Sequence, residues 1–78
     1  MDKTSFTKEV GALCRSCRKR VGLRQVDIAE KVGMEPTNVC YFEQGKRDSL
    51  QIFSVYGMMF DAQEWRDLNG IYNRYFGE

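Results

Sequence analysis

Histidine is absent from this 78-residue chain, cysteine occurs three times and proline once, and no apolar run approaches the length of a membrane span. Without histidine a zinc site has only three thiols to draw on, one fewer than a structural site requires. The pair Cys14 and Cys17 forms a C-x-x-C that invites a zinc or a redox reading, and both are weakly supported. There is also no phosphate-cradling glycine loop and no nucleophile set beside a base, which sets aside the common enzyme designs and leaves no cofactor implied. Three thiols behind no signal peptide fit a reducing cytoplasm, with Cys17 packed as a small hydrophobe and Cys14 or Cys40 semi-exposed.

Charge of one sign is also scarce. The formal net charge is only +1, which looks poor for a polyanion ligand until the chain is divided. Residues 1–47 hold 10 Lys or Arg against 6 Asp or Glu, and residues 48–78 hold 2 against 5, so the parts carry +4 and −3. Arg15, Arg18, Lys19, Arg20 and Arg24 precede residues 25–44, and Lys46 and Arg47 follow them. A charge cluster is ordinarily a solvated face; one that flanks a unit meeting a polyanion contacts its charged groups. A chain this short is read as a single domain over residues 1–78. It buries about 60% of its unfolded surface and is marginal alone, so dimerisation would help it.

What the sequence does contain is concentrated in residues 23–45, LRQVDIAEKVGMEPTNVCYFEQG. Val26, Ile28, Ala29 and Val32 form one inward stripe, with Gln25, Asp27, Glu30 and Lys31 left to water, which predicts a two-turn helix. Gly33 supplies a left-handed helix end and Met34 an apolar plug. Pro36 suits the first turn of a second helix over roughly residues 36–44, with Val39 and Phe42 inward and Gly45 as the stop. Pro36, Thr37, Cys40, Tyr41 and Gln44 then share an outward ridge. An uncharged ridge of this kind suits the major groove, where base edges and thymine methyls are read by such groups. A solvated helix of any all-helical domain fits the residues as well.

The residues Leu23, Gln25, Ile28, Ala29, Gly33, Val39, Phe42, Glu43, Gly45, Lys46 and Arg47 resemble, in register and without a gap, the phage-repressor and Cro type of helix-turn-helix, the xenobiotic-response-element family. The resemblance covers roughly residues 10–60. It implies an all-α, compact five-helix domain of the lambda-repressor-like DNA-binding fold, with its helix-turn-helix at 24–44. It also implies a third helix in the major groove and a homodimer on a near-palindromic double-stranded DNA operator, encoded by a bacterium or phage. Base contacts are then expected from Pro36, Thr37, Cys40 and Tyr41, and phosphate contacts from Arg24, Gln25, Asn38, Gln44, Lys46 and Arg47. For Gln25 the alternative is a side chain that merely caps its own helix. The family's structural ion pair falls on Arg18 and Glu43. Cys40 on the ridge leaves open a thiol-sensitive DNA contact.

The chain departs from the family at defined places. Arg24 stands where a Ser or Thr cap is usual and cannot accept the orphan N–H bonds. Glu35 likewise replaces a Ser or Thr; it complements the helix dipole but repels phosphate. Pro36 occupies a position where relatives often carry a base-reading polar residue, and the usual loop proline after Arg47 is missing. The operator sequence is therefore not legible.

Outside the motif, a first helix is expected from about Phe6 to Val21, capped by Ser5 or Thr4, with Phe6, Val10, Leu13, Cys17 and Val21 inward and Gly22 as its end. Gly11 within it costs about 1 kcal/mol relative to Ala, which points to a close helix approach or to tolerance. Leu50 to Phe60 is apolar enough to be a buried strand or a helix, and the fold implied by the resemblance favours a helix. Asp61 opens a last helix, with Glu64 completing a capping box and Trp65, Leu68, Tyr72 and Phe76 following at helical spacing. This aromatic tail is either ordinary core or a dimerisation segment over residues 56–76, with Tyr56, Met59, Phe60, Trp65, Leu68 and Tyr72 at the interface. The expected function is sequence-specific transcriptional regulation, of the Cro-like repressor or restriction-modification controller type. The alternative is a protein-binding adaptor or antitoxin on the same fold, with a protein partner at the aromatic tail.

Overall fold

In the computed structural model, which describes residues 3–77, five helices follow one another: α1 (Lys3–Val21), α2 (Gln25–Val32), α3 (Pro36–Glu43), α4 (Leu50–Met59) and α5 (Ala62–Phe76). No strand occurs among the described residues. The all-α, five-helix expectation therefore holds, and the ambiguous apolar run resolves as helix α4. A local cap accompanies that outcome: the Ser49 side chain accepts from the Ile52 N–H at 3.1 Å.

The turns follow from glycine placement. Gly33 adopts φ +68° after α2, and the Met34 N–H reaches back to the Ala29 carbonyl at 3.0 Å, which folds Met34 onto the core. Gly45 repeats the device after α3 at φ +77°, with the Lys46 N–H on the Tyr41 carbonyl at 2.9 Å. At α5 the capping box forms as its sequence requires: Asp61 accepts from the Glu64 N–H at 2.8 Å and Glu64 from the Asp61 N–H at 2.9 Å.

Helix α1 is the hub, packing on α3, α4 and α5, while α2 packs on α3 and α4. The core that results holds Ile28, Val39, Ile52 and Tyr56 fully buried, together with Cys14 and Cys17. Phe42 stacks on Tyr56 with centroids 5.9 Å apart and planes 7° from parallel. Gly11 marks a close helix approach: a Cβ there would lie 2.5 Å from the Glu43 carbonyl oxygen and 2.7 Å from that of Phe42.

Three expectations are corrected, and the choice between Cys14 and Cys40 as the semi-exposed thiol falls to Cys40. Helix α1 begins at Lys3, so Thr4 and Ser5 lie inside its first turn and are not its cap. Val21 is largely exposed, because the helix has passed the core by its last turn. Cys14 is as fully buried as Cys17, since residues three apart lie on one helix face and α1 turns that face toward the core. Tyr56 and Phe60 are core residues, unable to contribute their side chains to a dimer interface.

Candidate nucleic-acid interface

The outward side of α3 carries the residues expected there. Thr37, Tyr41 and Gln44 are exposed, and Pro36, Asn38 and Cys40 are half-buried at its edges. Internal bonds shape part of this ridge: the Asn38 amide donates to the Glu35 carbonyl at 3.3 Å, and the Gln44 amide donates to Cys40 Sγ at the same distance. The Thr37 and Tyr41 hydroxyls stay on the surface. The exposed part of the ridge thus offers two hydroxyls and an amide with no formal charge.

Behind α3 lies a buried carboxylate that ties four helices together. Glu43 accepts two bonds from the Arg18 guanidinium, Nε to Oε2 at 2.7 Å and Nη2 to Oε1 at 3.0 Å, which forms the expected pair. Gln25 on α2 donates its amide to Oε1 at 3.2 Å, and the Tyr56 hydroxyl on α4 donates to Oε2. The third guanidinium nitrogen of Arg18, Nη1, reaches the Leu23 carbonyl at 3.0 Å. Burial raises the Glu43 pKa, and the hydrogen bonds from Arg18, Tyr56 and Gln25 outweigh it, leaving the carboxyl below its ordinary 4.5. Removing one partner from a buried pair costs about 3–5 kcal/mol. The network therefore holds α3 in one orientation. Gln25, expected on phosphate or on its own helix end, is bonded to Glu43. Tyr56, expected at a subunit interface, is the unforeseen fourth member of the cluster.

The cations divide into two groups. Arg18 is held by Glu43. Arg20 clamps α5 through Glu64, with Nη2 to Oε1 at 2.8 Å, and also reaches the Met59 carbonyl at 2.9 Å. Arg24 is engaged by Asp27, which accepts from its backbone N–H at 2.8 Å and from Nη2 at 3.0 Å. That exchange supplies the start of α2 with half of a capping box despite the missing Ser or Thr, and it spends the Arg24 guanidinium expected to meet phosphate. By contrast Arg15, Lys19, Lys46 and Arg47 are exposed and form no ion pair among the described residues. Arg15 borders a polar cleft of about 240 Å³ that it shares with Gln25, Cys40, Gln44 and the Arg18–Glu43 pair. Lys8, also exposed and unpaired among the described residues, was not expected at the site. Its only signal in the sequence is cationic spacing of seven and eleven residues to Arg15 and Lys19.

The face of α1 turned away from α3 is different in kind. An open apolar groove of about 450 Å³ runs between α1, α4 and α5, lined by Phe6, Val10, Phe53, Trp65, Leu68 and Tyr72 with Asn69. Leu50 and Met58 on α4 are 84% and 89% exposed. Of the six residues expected at a dimer interface, Trp65 and Tyr72 are exposed and Met59 and Leu68 half-buried, while Tyr56 and Phe60 stay in the core.

No group of His, Cys, Asp or Glu among the described residues could hold a metal ion, and no described helix is long and apolar enough to cross a membrane. Compared with protein-family models, curated proteins and solved structures, the chain matches none.

Proposed function

We propose that this protein is a sequence-specific double-stranded DNA-binding transcriptional regulator of the Cro-like repressor or restriction-modification controller type. In this reading α2, the Gly33 turn and α3 are a helix-turn-helix, and α3 enters the major groove. One observation carries it: α3, held from behind by the buried Glu43 network, presents an uncharged polar ridge bordered by cations with no internal partner. Thr37, Tyr41 and the small surfaces of Pro36 and Cys40 meet base edges, and Lys46 and Arg47 meet phosphates. Gln25, Asn38 and Gln44 reach phosphate by exchanging their present internal bonds, and Arg24 does so only by leaving Asp27. The regulator works in the cytoplasm as a homodimer on a near-palindromic operator, joined through Trp65, Leu68 and Tyr72.

Titration of random duplex DNA at two salt concentrations tests this directly. Binding that weakens steeply with salt is expected, since each phosphate neutralised contributes a slope of about −0.9 in log K against log salt. Thr37→Ala and Tyr41→Ala then shift sequence preference, whereas Lys46→Ala and Arg47→Ala weaken all sequences alike. No binding at low salt would overturn the reading. It would favour a protein-binding adaptor or antitoxin, for which the open apolar groove is the supporting observation.

A further inference from the structure

Helix α1 carries a row of cations that the α3 ridge does not account for. Lys8, Arg15 and Lys19 stand seven and eleven residues apart, a spacing that returns to one side of a helix, so the three share a stripe about 16 Å long. All three are exposed, and none is ion-paired among the described residues. Between them lie the exposed small residues Ala12 and Ser16. The one carboxylate of α1, Glu9, sits on the α5 side, where Arg74 and the Tyr75 hydroxyl hold it. The stripe is therefore a run of uncompensated positive charge on rigid backbone.

Its position relative to α3 is fixed at two points. Near the C-terminal end of α3, Gly45 lies against the backbone of Lys8: a Cβ on that glycine would be 2.6 Å from Lys8 Cα, and the Thr7 hydroxyl donates to the Gly45 carbonyl at 3.1 Å. Farther along, Arg15 borders the polar cleft with Cys40 of α3 and with Gln44, which follows its last residue. The stripe thus runs beside the C-terminal half of α3 and close to Lys46.

We infer that Lys8, Arg15 and Lys19 form a second phosphate-binding rail, which takes the backbone of the DNA strand bordering the groove that α3 enters. The inference rests on the DNA-binding reading above and extends the footprint from the motif to the first helix. Phosphates occur every 3.4 Å of duplex axis along each strand, so a rigid stripe of this length spans several of them. The rail carries no sequence preference; it adds affinity and fixes the angle at which α3 lies in the groove.

The test measures the salt dependence of binding to a random-sequence duplex by the full chain and by Lys8→Gln, Arg15→Gln, Lys19→Gln and the triple variant. Arg66→Gln on α5 serves as the control for loss of one surface charge. Each single rail variant is expected to reduce the slope of log K against log salt by about 0.9, and the triple variant by close to three times that. Arg66→Gln should leave the slope unchanged. Because all three rail side chains are exposed, unchanged helical circular dichroism is expected for every variant. A steep slope in the wild type that survives in the triple variant would overturn the rail and leave the DNA-binding reading standing. A drop with Arg66→Gln as large as with Arg15→Gln would overturn it too, since net charge alone would then account for the effect. Salt-insensitive or absent binding by the wild type would overturn both.

Discussion

Glu43 shows what a single side chain can organise. It takes hydrogen bonds from three helices other than its own, and the Tyr56 hydroxyl, like the Gln25 amide, is a neutral donor whose removal leaves the charge still paired with Arg18. Tyr56→Phe keeps the ring stacked on Phe42 and deletes only that donor. The variant should lose about 1.5–3 kcal/mol of stability, the usual worth of a hydrogen bond to a charged group, read as a lower urea midpoint at unchanged slope. Acid probes the same carboxylate from the other side. Its folded pKa lies below 4.5, so its contribution is fully present above that value and is lost as pH falls through the lower folded value. Urea midpoints taken from pH 7 to pH 3 should be flat above about pH 5 and decline below 4.5, with a shallower decline in Glu43→Gln. The Arg18–Glu43 pair is legible in the sequence because Glu43 belongs to the gapless register of the resemblance and Arg18 stands at the matching spacing on the first helix. Tyr56 was not, because it sits in an apolar run without clear periodicity, and nothing local reveals that α4 carries its hydroxyl to the Glu43 carboxylate.

Among the helices, legibility followed punctuation. The bounds of α2 and α3 were readable because Gly33, Pro36 and Gly45 each have one energetically easy place to sit. The start of α1 is not legible, because Thr4 and Ser5 look like caps and yet lie within the helix. At the start of α2, Arg24 makes no side-chain cap bond, and Asp27 three residues downstream supplies only the reciprocal half of the box by accepting from the Arg24 N–H. Gly11 offered two meanings, and the structure chose close approach. Gly11→Ala sets two effects against each other: alanine gains about 1 kcal/mol of helix propensity, but its methyl would press on the Glu43 and Phe42 carbonyls at 2.5 and 2.7 Å. Both obstacles are backbone, so α1 and α3 must separate, and overpacking of this kind costs about 1–3 kcal/mol. The net change should be destabilising. A thermal melt showing a raised midpoint would refute the claim that α1 and α3 are in contact limit here.

Over the whole molecule, charge and apolarity are segregated. The excess of Lys and Arg falls in residues 1–47, whereas the open apolar groove draws most of its lining from α4 and α5. The polar outer side of α3 and the groove lie on different sides of α1, so a protein can occupy the second without covering the first. A homodimer through the groove should dissociate when Tyr72, 53% exposed, is replaced by glutamate. Sedimentation should show a wild-type dimer at micromolar concentration and a monomer for Tyr72→Glu. Binding to a two-half-site operator should fall while binding to a half-site is retained. A monomeric wild type would remove the groove from the account of self-association.

The three thiols differ in a way that makes the chain its own reporter. Cys14 and Cys17 are sealed in the core, and burial pushes both thiols up from their ordinary value, whereas Cys40 lies half-exposed at the edge of α3 beside Gln44. A maleimide dye therefore has one address in the folded protein and three in the unfolded one. Labelling stoichiometry counts unfolded chains, and the rate at which Cys40 alone reacts reads out whether anything covers the outer side of α3.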